Sequence, residues 1–297
     1  MTPDPPSIQP KTTTRRLRVQ HPWPMRVLRT LQFGWARLAS SDGYVCARAA
    51  SFDACFTGPA ADVITRHAYR RGVHEPAVTR YLIENVRLQA GEIALDVGAN
   101  LGWYSILLSR LGEPGARIFA FEPDPETYRL LLRNLQANGA AVEACNFALG
   151  ESAGTAQLHR YKRSNNGRHT LLSGNASGGI VRVPVHPLST FWERAGLGAR
   201  PIRLMKVDVE GFEYFVLRGA GELLRRCACL VLEYNPGSLP SLGLKSQLLT
   251  ELLAASGLEP HVFVGERLLR VSFAELLATP SQRNLLLTSP AGARRFC

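Results

Sequence analysis

Two short stretches of this 297-residue chain hold residue types that could do chemistry together. The first is Leu204–Glu213, LMKVDVEGFE, in which Met205, Val207 and Val209 alternate with Lys206, Asp208 and Glu210. Alternation is the signature of a strand, so the three charges share one face. Such a face is costly unless it is wet, paired or functional. A carboxylate beside an ammonium can orient a hydroxyl or take its proton while the ammonium holds its charge, and Asp208 with Glu210 offers oxygen ligands suited to magnesium. No third metal ligand is evident, so a divalent metal stays open. The second stretch is Asp96–Gly102, DVGANLG, where glycines let the backbone turn sharply and approach a ligand closely. Glu122, twenty residues beyond Gly102, is placed to accept hydrogen bonds from ribose hydroxyls.

These residues need a scaffold that brings distant strands side by side. Glu92–Val97 reads as a first strand, Gly102–Leu111 as an amphipathic helix, Arg117–Phe121 as a second strand and Pro125–Ala137 as a second helix. Val142–Phe147, Arg203–Val209 and Cys229–Tyr234 read as further strands, with a helix over Phe212–Arg225. Later strands fall near His261–Val264 and Leu285–Thr288. Strands alternating with helices imply parallel βαβ units and a doubly wound α/β sheet. Ligands of such sheets bind beyond the carboxyl ends of the strands. That is where DVGANLG, Glu122 and Asp208 all fall.

The acid that opens the glycine loop separates two cofactor classes. Asp96 would repel a pyrophosphate, and G-A-N-L-G lacks the spacing of a dinucleotide fingerprint. An acid there suits a cationic, amino-acid-bearing cofactor, which S-adenosylmethionine is.

DVGANLGWYS, FEPDPETYRLLLRNLQANG, NFALG and LMKVDVEGFEYFVLRGA occur in this order, and with them the sequence resembles the FkbM family of S-adenosylmethionine-dependent methyltransferases. The resemblance runs from about Gly72 to Tyr234 and includes His74–Leu82 and the SNNG loop, Ser164–Gly167. It implies a class I methyltransferase (Rossmann-like) fold, a mostly parallel seven-stranded sheet whose last strand is antiparallel. The implied reaction is O-methylation of a sugar, glycan precursor or small natural product. By the same resemblance Asp96, Gly98, Asn100 and Gly102 surround the methionine part of the cofactor, and Glu122 holds the ribose. Asn146 and Ala148 belong to the segment near the adenine. Where the family commonly has T-L-D, this chain has Pro187-Leu188-Ser189, so any role of that aspartate is absent or moved.

Asp208 is then the candidate general base or hydroxyl anchor. Lys206 would hold its charge or contact substrate, and Glu210 would orient substrate or bind a metal. The competing structural account has Lys206 and Asp208 simply neutralising each other and Glu210 and Glu213 favouring a helix N-terminus. His74, Glu75, Asn165, Asn166 and His169 are candidates for the substrate side, and Trp103-Tyr104 is read as packing on the sheet.

Along the chain, residues 1–24 read as a proline-rich disordered tail and 25–90 as a helical cap. Residues 91–290 read as the catalytic domain, with an insertion at about 151–200 flanked by two alternating segments. The net charge is +11, its arginines spread along the chain apart from one local cluster at Arg15, Arg16 and Arg18, and no dense basic track marks a nucleic-acid enzyme. Six cysteines lack disulfide or zinc spacing, and no run approaches the ~18 apolar residues of a membrane helix. KTTTRRLR lacks the apolar stretch of an export signal. The expectation is a cytoplasmic enzyme with a small-molecule or carbohydrate hydroxyl substrate and no nucleic-acid partner. The alternatives are an RNA methyltransferase, a cofactor-binding domain without turnover, and a dinucleotide oxidoreductase, the last opposed by Asp96.

Overall fold

A computed structural model describes residues 20–160, 170–171 and 178–290. It opens with α1 (Trp23–Ala39), a hairpin of β1 (Tyr44–Arg48) and β2 (Cys55–Pro59), then α2 (Val63–Arg71) and α3 (Pro76–Asn85). Asp62 caps α2 by accepting a hydrogen bond from the Thr65 amide at 2.9 Å, and left-handed Gly72 ends it. The stretch read as helical therefore also contains a hairpin. Val45 and Ala47 turn inward on β1, a period-two pattern only five residues long and too short to stand out in sequence.

The sheet follows: β3 (Ile93–Val97), α4 (Trp103–Leu111), β4 (Arg117–Phe121), α5 (Pro125–Ala137) and β5 (Glu143–Cys145). β5 is shorter than the run Val142–Phe147 because the chain leaves the sheet at once. β6 (Ala148–Leu149), β7 (Gly154–His159) and β8 (Ile180–His186) instead form a separate three-stranded sheet in the order β6-β8-β7. α6 (Leu188–Arg194) returns the chain to β9 (Ile202–Val207). Next come α7 (Glu213–Ala220), which gives way to a 3-10 turn at left-handed Gly221, and β10 (Cys229–Tyr234). The fold closes with α8 (Gln247–Ala255), β11 (Glu259–Val264), β12 (Arg267–Arg270), α9 (Phe273–Ala278) and β13 (Arg283–Thr288).

The strand order is β12-β11-β13-β10-β9-β3-β4-β5. β3, β4, β5, β9 and β10 run parallel, and β13 is antiparallel to both β10 and β11. The seven strands expected are present with the last one reversed, and β12 adds an eighth at the edge. Apolar layers cover both faces. Ala94 and Leu204 face Leu82, Leu88, Ile106 and Leu107; Leu95, Met205 and Val207 face Trp192, Val216 and Leu253. β3 and β9 are adjacent at the centre, with Asp96 opposite Lys206. Asp96 and Lys206 are thus sunk side by side at the centre of the sheet, and Arg203 is a further buried charge on β9.

Candidate active site

The loop after β3 and the loop after β9 touch backbone to backbone. The Asp208 amide donates to the Val97 carbonyl at 3.0 Å, and a Cβ built on Gly98 would lie 1.9 Å from the Asp208 carbonyl oxygen. Gly98 (φ 82°) is therefore required by the neighbouring loop, a reason that the sequence pattern attributes to a ligand. Gly102 (φ 89°) answers to α5, because a Cβ there would stand 2.8 Å from Leu131 Cδ1. Between them Asn100 adopts a left-handed conformation (φ 49°), and its amide donates to Glu122 Oε2 at 2.9 Å. Its own Oδ1 is buried without a partner.

Glu122 is held from both sides, since Oε1 accepts the Asp124 amide at 2.9 Å. Burial pushes its carboxyl up to about 8, against the pull of the two amides. Asn146 does not face the cleft but donates to the Glu122 and Pro123 carbonyls, at 2.8 and 3.1 Å, and braces the end of β4. Phe121, Phe147, Ala148, Leu149, Leu158 and Leu171 form the apolar walls, and Asp208, Glu210 and Phe212 the opposite rim. No lysine or arginine lines this cleft among the described residues, whereas Glu122, Asp208 and Glu210 do.

Asp96 lies under the floor. Oδ2 accepts from Ser105 Oγ at 2.6 Å, Oδ1 has no partner, and burial raises its carboxyl above the ordinary range. Lys206 is equally sunk, with its side chain 3% exposed and Nζ 2.7 Å from Asp208 Oδ2 and 4.5 Å from the centre of the Tyr104 ring. Burial alone would lower its pKa, but Asp208, Glu75 and Asp96 more than reverse this and keep it protonated. Its ammonium thus stands behind Asp208 rather than in the cleft. Glu75, itself left-handed (φ 43°), accepts the Tyr104 hydroxyl at 2.5 Å and the Asn284 amide group. Burial would raise Glu75, yet His74, Lys206 and those two donors hold it well below the usual carboxylate range. Among the candidates for the substrate side, His74 and Glu75 join this buried network, while Asn165, Asn166 and His169 lie outside the described residues.

At the rim, Asp208, Glu210 and Glu233 each present an oxygen within 4.8 Å of the others, close enough to share a divalent cation. Burial, then Asp208 and Glu210, push the Glu233 carboxyl up to about 9. Sequence reasoning does not pick out Glu233, although an acid at the carboxyl end of a central strand is a usable signal. Tyr104, expected only to pack on the sheet, packs there and also hydrogen-bonds Glu75. Trp103 stacks on Phe56 at 4.9 Å and donates to Thr79.

Comparison with known proteins gives the family. A family model described as the methyltransferase FkbM domain matches residues 96–251. Methyltransferase sdnD of Sordaria araneosa is 31% identical over 179 residues, covering 50% of this chain and 68% of that protein. Hexuronic acid methyltransferase AglP of Haloferax volcanii is 29% identical over 194 residues, covering 65% and 75%. The 31-O-demethyl-FK506 methyltransferase FkbM of Streptomyces tacrolimicus is 33% identical over 125 residues, covering 42% and 45%. Among solved structures, an O-methyltransferase from Bacillus cereus in complex with SAH aligns over 72% of this chain and 80% of that chain, at 11% identity and a TM-score of 0.41.

Proposed function

The chain belongs to the FkbM family of methyltransferases, and from that premise we propose that it methylates a hydroxyl of a sugar, glycan precursor or small natural product, with S-adenosylmethionine as donor. The observation that carries the cofactor reading is the acidic lining of the cleft. Three acids and no cation among the described lining residues suit a sulfonium and an α-ammonium group and disfavour a pyrophosphate. When bound, the cofactor supplies an electrophilic methyl group on sulfur. Glu122 would hold the ribose hydroxyls, because each of its oxygens has one amide donor and a lone pair to spare. Phe147 and Ala148 would wall the adenine. The unpartnered Oδ1 of Asn100 is the polar atom available to the methionine ammonium.

Asp208 is the residue we assign to the acceptor. Its backbone is fixed by Val97 and its Oδ2 by Lys206, so the carboxylate is oriented before substrate arrives. It accepts the hydrogen bond of the acceptor hydroxyl. Asp208 would take the hydroxyl proton as the acceptor oxygen gains the methyl group that the bound cofactor would supply. Lys206 positions Asp208, and Glu210 orients neighbouring hydroxyls of the acceptor. The names of two relatives, a hexuronic acid methyltransferase and a 31-O-demethyl-FK506 methyltransferase, support a hydroxyl-bearing sugar or natural product as acceptor.

The test is transfer of label from methyl-tritiated cofactor to a panel of sugars and polyols. Asp208→Asn should lower kcat by about 10²–10⁴, with cofactor affinity by calorimetry changed little. Unaltered turnover in that variant would remove Asp208 from the reaction. Cofactor binding with no transfer to any hydroxyl compound would favour a domain without turnover. Steeply salt-dependent RNA binding would favour the nucleic-acid reading.

A further inference from the structure

Helix α1 buries one side and exposes the more apolar one. Inward, Phe33 packs on Tyr69 of α2 with ring centroids 5.2 Å apart. Outward stand Trp23, Val27, Leu31, Trp35 and Leu38, separated by four, four, four and three residues and so aligned on one stripe. Trp23 is 72% exposed, Trp35 76% and Leu38 81%, and Leu28 beside them is 50% exposed. Single exposed apolar side chains are ordinary; a continuous stripe with a tryptophan near each end marks a surface that something covers.

The charge around the stripe says what covers it. From Pro5 to Ser41 the sequence holds Lys11, Arg15, Arg16, Arg18, Arg26, Arg29 and Arg37 and no Asp or Glu. Alongside the stripe, a groove between α1 and α2 is lined by Trp23, Arg26, Val27, Thr30, Arg70 and Arg71. Arg70 Nε donates to Thr30 Oγ1 at 3.0 Å, which fixes that guanidinium at the groove. A second copy of the chain would bring the same cations together with no acid in this stretch to answer them. An interface apolar at depth and anionic at its surface satisfies both features. At 17 residues, about 26 Å, α1 is suited to lying in a bilayer surface, and no helix among the described residues is long and apolar enough to cross one.

We propose that α1 docks the protein on an anionic phospholipid bilayer, with Trp23, Leu31, Trp35 and Leu38 in the headgroup–acyl boundary and Arg26, Arg70 and Arg71 on lipid phosphates. This inference stands apart from the methyl-transfer reading and is tested without it. The full chain is mixed with vesicles of phosphatidylcholine alone, or carrying about one quarter phosphatidylglycerol, and sedimented. The expected result is binding to the anionic vesicles, a blue shift of tryptophan emission, and weakening in high salt. Leu31→Glu with Trp35→Glu should lower the partition coefficient at least tenfold without changing the melting temperature, since both side chains are exposed. Arg70→Glu with Arg71→Glu should reduce the preference for anionic over neutral vesicles. Three results would overturn the proposal. The first is a wild-type chain that stays in the supernatant with both vesicles. The second is a stable dimer that the double glutamate variant makes monomeric. The third is a monomer in which the emission lost in Trp35→Phe is already shielded from acrylamide before lipid is added.

Discussion

Around Lys206 one buried ammonium answers to Asp208, Glu75 and Asp96, and it cannot serve all three as an ion pair of equal strength. The structure resolves this by environment. Glu75 is held ionised with the help of Tyr104 and Asn284, and Asp96 is driven towards its neutral form by burial and bonded to Ser105. Asp208, with its side chain 25% exposed, keeps the direct 2.7 Å contact and faces the cleft. Lys206→Met would leave these carboxylates without their cation. Removing one partner of a buried pair costs about 3–5 kcal/mol, so a large fall in melting temperature is expected, together with loss of methyl transfer. Adding Asp208→Asn to Lys206→Met should restore part of the stability and none of the activity. Thermal unfolding and turnover measured on both variants check this. If the single variant melted like wild type, the lysine would not be the centre of the network.

At the scale of elements, the site exists because β3 and β9 are neighbours whose loops interlock at Gly98. Gly98→Ala places a Cβ against the Asp208 carbonyl and forces a left-handed backbone on alanine, so it should both destabilise the fold and displace Asp208. Gly91→Ala is the control: the same left-handed φ (85°) but open space around the added carbon. It should cost about 1 kcal/mol and leave kcat unchanged, whereas Gly98→Ala should lower kcat sharply; equal effects would mean that the interlock does not position Asp208. Sequence pattern located β4, α5 and β10 to the residue, because β4 and β10 are nearly continuous apolar runs and α5 is a long amphipathic helix that opens on Pro125. It could not supply the interlock, since nothing in DVGANLG says that the glycine's neighbour is the backbone of residue 208. The network behind Lys206 was equally hidden: Glu75 and Asn284 are 209 residues apart in the chain and meet only through tertiary packing. The N-terminal hairpin escaped because its two strands are five residues each, and their inward residues are few.

For the molecule as a whole, three acids buried in or near the site set how stability follows pH. Burial raises Glu122 and Glu213 to about 8 and Glu233 to about 9, all from an ordinary value of 4.5. A raised carboxyl means that the folded state binds the proton more tightly than the unfolded chain. Its contribution is complete below about pH 4.5 and is lost as pH rises through the folded value. Stability should therefore fall steadily between about pH 5 and about pH 9. Glu75 acts in the opposite sense, but its window lies below 4.5, where acid would remove what it contributes. Glu213 isolates the effect, because it is fully buried and does not line the cleft. Its Oε1 accepts the Gly211 amide at 2.9 Å while Oε2 has no partner. Glu213→Gln keeps that acceptor and removes the titration, so its melting temperature should vary less with pH than that of wild type, the gap between them closing or reversing towards pH 9. Melting curves across this window decide the matter: a wild-type profile flat from about pH 5 to about pH 9, or a Glu213→Gln profile parallel to it, would show that these carboxyls are already ionised in the folded protein.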